Sequence, residues 1–499
     1  MTENNTPAST PRILSSGYLR EYILFSAILV SVIGLYHIFS INPFSTIGHT
    51  PFPPGVAGPW QGPGGMPNIP GQMYNIWPLW GTLTLPSLEG VLIAGVAILL
   101  LAGFILALKR SEYKLPSLSV LVVAGLFLIL LTNLIHGWSM GIESTISGMS
   151  EMYWDITKVV TPISFISNYN SLQANLSLHA QTQPPGAVLT IHLLSLIFQE
   201  PAAMAIGLSV IAGLFSAFFI NRIYEQIFNK ETAKYGALLY LLLPAIQVYY
   251  LANIYAIVAT LATASLYFYL HANKIVRMVG TFVSIFLGTF ISFLFVYIPL
   301  ALLLYELLAM RSSSQNEQIG NKLSHAFSSL STLIIVCLGI GLTYIMLNIV
   351  LGFNYVDAFL YASSLENPGG FMLFSNLSNY VVTRLEDFLD IVVFFGPVLG
   401  VLAYEGLRSM RTARAQDRNI SKAYNLTIAS LVALLLLFLT GAPKKGETAR
   451  ICMFVLPFLL IPVLFHLDSN SFSRIEKMKL LLLVFGQAIV MQLFATYIW

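Results

Sequence analysis

A polar stretch at residues 151–186 carries side chains that could do chemistry. Asp155 directly follows two aromatic residues, Tyr153 and Trp154, and His179 comes later in the same stretch. Aromatic neighbours would partly desolvate a carboxylate, which raises its pKa and suits a general base. The alternative is an ordinary acid in the aromatic belt of a membrane surface, and composition leaves both readings open. We therefore treat Asp155 as the candidate general base.

The same stretch closes on the sequence Gln183-Pro184-Pro185-Gly186. Two consecutive prolines remove two backbone donors and hold the chain in an extended path. Gly186 has no Cβ, so the helix after it could begin close against a neighbouring element. We expect a rigid scaffold beside His179, whose imidazole could contact a phosphate or bond to a loop carbonyl.

A second group of charges lies near the C-terminal end, where Lys444, Lys445 and Arg450 surround Glu447. A lipid-linked phosphate would explain these cations, because a guanidinium forms paired hydrogen bonds with phosphate oxygens. The alternative is a solvated turn with a Lys–Glu pair of little energetic weight. Arg450 borders the apolar run that follows, so we expect it to contact the phosphate, with Lys445 and His179 as helpers.

Composition places these groups in a membrane protein. The 499 residues are 56% hydrophobic and 9% charged, whereas soluble domains are about 25% charged. The apolar runs predict an all-α integral membrane protein of about thirteen transmembrane helices, with extracytoplasmic helices beside the membrane. The predicted spans are 19–39, 88–108, 116–135, 201–221, 235–251, 254–272, 276–291, 293–310, 328–351, 388–405, 424–440, 450–467 and 479–498.

The distribution of Lys and Arg predicts which segments lie on which side. The segment 186–199 is too short to span, and treating it as a surface helix gives a consistent positive-inside pattern. The N-terminus is then cytoplasmic, and all but five of the 25 Lys and Arg residues face inward. The outward-facing cations are Lys158, Arg384, Lys444, Lys445 and Arg450. The outside segments are 40–87, 136–200, 352–387 and 441–450.

The order of these features resembles the polytopic C-type (GT-C) glycosyltransferases, a class that includes protein mannosyltransferases and aminoarabinose transferases. The resemblance rests on Asp155 in a large outside loop, on the sequence HAQTQPPGAVL, and on GETARI near the C-terminus. It covers approximately residues 116–467. Residues 1–115 would then be an N-terminal extension with two spans and a Pro/Gly-rich loop. Residues 116–499 would be the GT-C-like module, with 136–200 as its first catalytic outside loop.

The resemblance implies transfer of a hexose or pentose from a polyprenyl-phosphate donor to an acceptor hydroxyl outside the cytoplasm. The acceptor would be a glycan, lipid or protein, and Asp155 would take its proton as the sugar inverts. Arg450, His179, Lys445 and Gln183 would bind the donor phosphate, while Tyr153, Trp154, Glu447 and Asp357 would contact sugar or acceptor. The class often has His or Lys where this chain has Gln183, so His179 or Arg450 must supply that contact.

No cofactor is predicted, because the acids Asp357, Glu386 and Asp387 have no metal-ligand spacing; a divalent ion stays open as an alternative. No nucleotide-binding fingerprint occurs in the inward segments, which argues against a cytosolic nucleotide donor. The expected partners are the lipid-linked donor, the acceptor and the bilayer, without nucleic acid, and the expected location is the plasma membrane. A transporter or flippase, and a polymerase of lipid-linked glycans, are the alternative functions.

Overall fold

The computed structural model describes residues 82–110, 115–147, 153–313, 319–367, 369–442 and 447–497. Helices dominate this part of the chain, and one short antiparallel pairing joins strand β1, Thr82–Leu83, to strand β2, Ala495–Thr496. The all-α class predicted from the sequence is confirmed. The predicted span 19–39 and nearly all of the loop 40–87 lie outside the described residues.

The helices are numbered here in chain order. Those of the first half are α1 Leu88–Arg110, α2 Leu118–Leu134, α3 Ser144–Ser147, α4 Tyr153–Val159, α5 Pro162–Leu172, α6 Leu178–Thr182, α7 Gly186–Ser195, α8 Pro201–Tyr224, α9 Lys230–Leu241, α10 Pro244–Tyr249 and α11 Ile254–Tyr269. Those of the second half are α12 Lys274–Ile291, α13 Tyr297–Ser313, α14 Ile319–Leu351, α15 Tyr355–Glu366, α16 Met372–Ser375, α17 Leu377–Phe395, α18 Pro397–Ala413, α19 Arg418–Leu439, α20 Thr448–Ile451, α21 Leu456–Ser469 and α22 Arg474–Phe494.

Seven helices of the described residues are long and apolar enough to cross a membrane, and two bent helix pairs raise that number to nine. The seven are Leu88–Ala107, Pro201–Tyr224, Lys274–Ile291, Phe293–Arg311, Leu330–Leu351, Arg418–Leu439 and Arg474–Phe494. The predicted number of thirteen is therefore not reproduced. Three predicted spans, 235–251, 254–272 and 450–467, fall on shorter helices, because the chain breaks between α9 and α10, ends α11 early and turns at α20.

Helix α14 shows how the molecule meets the bilayer. Only 17% of its most apolar window is buried within the protein. Ile335, Leu338, Leu342 and Ile349 are exposed on it, a surface that would cost about 25 cal/mol per Å² in water. Helix α11, in contrast, is buried along nearly its whole length and belongs to the interior. The chain is an integral membrane protein with lipid-facing and buried helices.

Helices α17 and α18 meet at a bend of 98°. Gly396 lies between them with φ +103°, a backbone conformation that favours glycine. Pro397 then begins α18, a position where its fixed φ suits a helix start. The predicted span 388–405 is therefore two helices that bend at Gly396, and not one straight helix. Helix α17 begins earlier, at Leu377, so residues predicted to lie in the outside loop 352–387 belong to a helix.

Candidate functional site

The Pro-Pro corner is anchored by the Tyr169 hydroxyl on α5. This hydroxyl donates to the carbonyl of Ala180 at 2.9 Å and to the carbonyl of Gln183. Burial raises the pKa of Tyr169, so the hydroxyl keeps the proton that both contacts require. The Gln183 side chain is buried as well, and its amide nitrogen donates to the Tyr255 hydroxyl at 2.9 Å. The corner is thus tied to two neighbouring helices.

Gly186 begins α7 directly against the end of α12. A Cβ at this position would lie inside the contact distance of the Phe290 carbonyl. The predicted close approach is confirmed, and it requires a residue without a side chain. Helix α7 has ten residues, which at ~1.5 Å per residue is about half the ~30 Å of hydrocarbon. Its length supports the prediction that segment 186–199 does not cross the bilayer.

Two carboxylates of α17 hold the turn that begins at Glu447. The Thr448 hydroxyl donates to Asp387 Oδ1 at 2.5 Å, and the Ala449 backbone amide donates to Asp390 Oδ2 at 2.6 Å. All four residues are buried. A buried carboxylate is costly unless it is hydrogen-bonded, so these contacts explain how α17 tolerates two acids. They fix the backbone position of α20 and therefore of Arg450.

Arg450 lies inside the protein, with 4% of its side chain exposed. Its Nη2 is 2.6 Å from Glu447 Oε2, and Glu447 is 24% exposed, so this ion pair reaches the surface through the acid. Arg384 is held separately, 3.0 Å from Asp387 and over the Tyr380 ring. A buried cation such as Arg450 is costly in a membrane protein, which makes it a candidate functional group.

His179 on α6 lies within the electrostatic reach of Arg450 and Glu447. Burial and the positive charge of Arg450 lower the pKa of His179 to about 4, and Glu447 opposes this shift. The imidazole is therefore neutral at neutral pH, and it can offer a phosphate one N–H donor but no charge. Arg450 and Glu447 form an ion pair, and His179, from a distant part of the sequence, lies within range of the charge of both.

Aromatic rings pack beside the buried acids. The rings of Tyr249 and Phe394 have centroids 4.8 Å apart, and Tyr497 meets Phe394 edge-on at 5.4 Å. Asp390 and Arg450 both act electrostatically on Tyr249, which places this aromatic group against the charged cluster. The resulting apolar wall lowers the local dielectric and strengthens each charged contact.

Asp155 lies on α4 and forms no hydrogen bond or ion pair with the described residues of this cluster. Its carboxylate is 63% exposed and pairs with Lys158 at 2.9 Å, its only ion pair or hydrogen bond among the described residues. The expected partial desolvation is absent, because the Tyr153 and Trp154 rings turn into the protein and leave the acid at the surface. Lys158 also lies over the Trp154 ring. A catalytic role for Asp155, and sugar contacts by the two rings, stay predictions.

Of the remaining predicted site residues, the structure describes Asp357 but not Lys445. Asp357 is exposed and accepts from the Asn354 side-chain amide at 2.6 Å at the start of α15. Helix α15 in turn packs against α6, which carries His179. Lys445 lies outside the described residues, as does Lys444. No group of three or more His, Cys, Asp or Glu side chains within the described ranges could hold a metal ion.

Asp387 and Asp390 are the site residues whose role the sequence analysis missed. Asp387 was named as a possible ligand of sugar or a divalent ion, which stays a prediction; its carboxylate pairs with Arg384 and accepts from Thr448, so it also positions the turn. Asp390 was counted inside a transmembrane span. The sequence did contain one indication of their role, since the two acids lie three residues apart in an apolar run. Acids inside a membrane segment usually pair with a specific cation or hydrogen-bond donor.

Comparison with known proteins gives structural neighbours only. No protein-family model matches this sequence, and no curated protein matches it. The oligosaccharyltransferase of Archaeoglobus fulgidus, solved with Zn and sulfate, is 14% identical over 75% of this chain and 53% of that chain, with a TM-score of 0.47. The present chain thus spans about half the length of that protein.

Two further structures are similar at comparable levels. ArnT from Cupriavidus metallidurans, bound to undecaprenyl phosphate, is 14% identical over 70% of this chain and 60% of that chain, with a TM-score of 0.41. Archaeoglobus fulgidus AglB, in complex with an inhibitory peptide and a dolichol-phosphate, is 12% identical over 75% and 56%, with a TM-score of 0.43. These neighbours are GT-C glycosyltransferases, the class named by the sequence resemblance.

Proposed function

We propose that this protein transfers a sugar from a polyprenyl-phosphate donor to an acceptor hydroxyl at the membrane surface. The observation that supports the proposal is the buried Arg450–Glu447 ion pair, whose charges also act on His179 beside the Pro-Pro corner. The sequence predicts that both segments contact the donor phosphate. An anion is also the ligand that a buried guanidinium favours.

Arg450 is the group that would bind the phosphate. Its planar guanidinium can be shared between the Glu447 carboxylate and phosphate oxygens, and the hydrogen bonds of Asp387 and Asp390 keep the turn in place. The leaving polyprenyl phosphate gains charge as the glycosidic bond breaks, so a fixed cation stabilises the transition state more than the bound donor. Neutral His179 adds one hydrogen bond. Lys445 keeps its predicted place as a helper, whereas Gln183 supports the corner through Tyr255.

The acceptor side of the reaction rests on Asp155. The acceptor oxygen attacks the sugar C1, the bond from C1 to the phosphate oxygen breaks, and Asp155 takes the hydroxyl proton. This single displacement inverts the configuration at C1. The exposed carboxylate is reachable by an acceptor, and approach of the hydroxyl would replace its surface pairing with Lys158. Glu447 and Asp357 are our candidates for contacts with sugar hydroxyls.

The proposed site faces away from the cytoplasm. The distribution of Lys and Arg favours a cytoplasmic N-terminus and puts the segments that carry Asp155, His179 and Arg450 on the opposite side. A plasma-membrane enzyme of this orientation would draw its donor from the outer leaflet and glycosylate a glycan, lipid or protein there.

The test is a transfer assay with the purified full-length protein in lipid nanodiscs. We expect polyprenyl-phosphate sugars, supplied with hydroxyl acceptors, to yield free polyprenyl phosphate and a glycosylated acceptor in equal amounts. Donor left intact across the acceptor panel, together with movement of intact donor across the bilayer of reconstituted liposomes, would instead establish a flippase and overturn the proposal.

A further inference from the structure

A second polar site lies at the end of the molecule where α1 begins and α22 ends. A cavity of about 240 Å³ is lined there by Ser87, Glu89, His136 and Gln492, among others. Its walls come from the first turn of α1, the chain just after α2 and the last turns of α22. The sequence analysis assigned nothing to these residues.

His136 and Gln492 supply the deepest polar groups of this cavity. His136 Nε2 and Gln492 Oε1 are 2.8 Å apart, and because an amide oxygen only accepts, Nε2 carries the proton. Burial lowers the pKa of His136, so the ring is neutral and its Nδ1 is an acceptor. Gln492 is 2% exposed, and its amide nitrogen has no hydrogen-bond partner among the residues that the structure describes. Gln492 lines the cavity, so this amide nitrogen is available to donate to a ligand there.

Ser87 and Glu89 complete the rim. The Ser87 hydroxyl accepts from the Gly90 amide at 2.9 Å, which leaves its own proton for a ligand. Glu89 is exposed at the first turn of α1 and adds a carboxylate acceptor. The cavity wall therefore offers two acceptors, the Glu89 carboxylate and the His136 Nδ1, and two donors, the Ser87 hydroxyl and the Gln492 amide nitrogen.

This pattern selects the class of ligand. An anion would meet the Glu89 carboxylate without a cation among the lining residues of the described chain, and like charges repel. An apolar ligand would leave the buried Gln492 amide unpaired, at a cost of about 1–3 kcal/mol. A ligand with several adjacent hydroxyl groups could bond to every polar group of the wall, because each hydroxyl both donates and accepts. The volume lies below the ~300 Å³ at which drug-sized pockets begin, which limits the ligand to about one ring.

We propose that this cavity binds one neutral sugar ring through Glu89, Ser87, His136 and Gln492. Gln492 is five residues before Tyr497, whose ring packs against the aromatic wall of the candidate site. Five residues reach at most ~18 Å when fully extended. The cavity is therefore close enough to hold a remote ring of an acceptor saccharide, an assignment that rests on the proposed function.

Binding can be measured without any donor. The full-length protein is placed in nanodiscs free of glycosidic detergent and titrated with methyl glycosides of glucose, mannose, galactose and N-acetylglucosamine, followed by saturation-transfer NMR. We expect at least one to bind, and Glu89→Gln to weaken it at least ~10-fold, since a hydrogen bond to a charged group is lost. Gln492→Leu should abolish binding. Glu200→Gln, a change at another exposed acid outside the cavity, should leave binding unaltered.

Three outcomes would overturn this site: no glycoside binds, methyl glucuronide binds more tightly than the neutral sugars, or Glu89→Gln binds normally. Glu89 is exposed, so its variant tests the site even if Gln492→Leu does not fold. Sugar binding in a protein that transfers nothing would overturn the proposed function alone. Transfer by a protein that binds no glycoside here would overturn this inference alone.

Discussion

Arg450 is the residue on which donor binding depends. We expect Arg450→Lys to lower kcat/KM by roughly 10–100-fold, because an ammonium cannot form the paired contacts of a guanidinium and a charge-assisted hydrogen bond contributes about 1.5–3 kcal/mol. Arg450→Ala should be more damaging. Steady-state kinetics with a polyprenyl-phosphate sugar measures both variants.

The control for Arg450 is Lys444→Ala, which removes a cation of the same sequence turn that is farther from the apolar run. We expect it to keep most of the activity. Since Arg450 is buried against Glu447, thermal unfolding of each variant must accompany the kinetics. If Arg450→Lys and Lys444→Ala lost the same activity with unaltered thermal unfolding, the turn would attract anions through its net positive charge alone. That result would contradict a specific contact between the Arg450 guanidinium and the phosphate.

Asp155 tests the acceptor half of the reaction. Asn keeps the size of Asp but cannot take a proton, so Asp155→Asn should lower kcat by roughly 10²–10⁴-fold while donor affinity stays unchanged. Lys158→Ala is the matched control, since it removes the observed ion pair and leaves the carboxylate. If both variants lowered turnover equally, only the Asp155–Lys158 ion pair would matter, and Asp155 would not be the general base.

The surroundings of Asp155 are the part of the candidate site that the sequence predicted poorly. Arg450 and His179 could be identified as candidates because their side chains favour phosphate. Whether Asp155 is buried or exposed could not be predicted. Sequence neighbours do not reveal side-chain direction: Tyr153 and Trp154 point into the protein, and Asp155 points to the surface. Helical neighbours face different sides, so adjacency in sequence is weak support for desolvation.

At the scale of elements, Gly186 fixes how closely α7 approaches α12. Gly186→Ala would place a methyl group against the Phe290 carbonyl, a backbone atom that cannot move cheaply. We expect destabilisation of about 1–3 kcal/mol, seen as a lower unfolding temperature in detergent. Gly95→Ala is the control, because no atom lies within 4 Å of a Cβ built there. If Gly186→Ala unfolded at a temperature as high as Gly95→Ala, the approach of α7 to the Phe290 carbonyl would be loose enough to accept a methyl group.

The apolar pattern predicted the long helices well and the broken ones poorly. Spans such as Pro201–Tyr224 and Arg474–Phe494 correspond to predicted ones because each is a continuous apolar run of sufficient length. The predicted span 388–405 proved to be bent, because Gly396 and Pro397 interrupt its apolar run. A Gly-Pro pair inside an apolar segment ends a helix, and here it leaves Asp390 on the first half of a bend.

At the scale of the molecule, folding brings together segments that are far apart in the chain. The sequence alone predicted two phosphate-binding groups, one at His179 and one at Arg450, and the resemblance implied that they act on one ligand. Their proximity depends on the packing of α17, whose acids hold the C-terminal turn. The paired acids in an apolar run indicated that Asp387 and Asp390 need partners, but only the structure shows that these partners are Thr448 and Ala449 of the distant turn.

The central claim is that His179 and Arg450 contact the same donor phosphate. A double-mutant cycle tests it most directly: polyprenyl phosphate is titrated into nanodiscs containing the full-length protein, His179→Ala, Arg450→Lys or the double variant. Groups that share one ligand are expected to couple by ~0.5–3 kcal/mol in binding free energy. We predict coupling in this range. Effects that add within ~0.3–0.5 kcal/mol would show two independent sites and contradict the account.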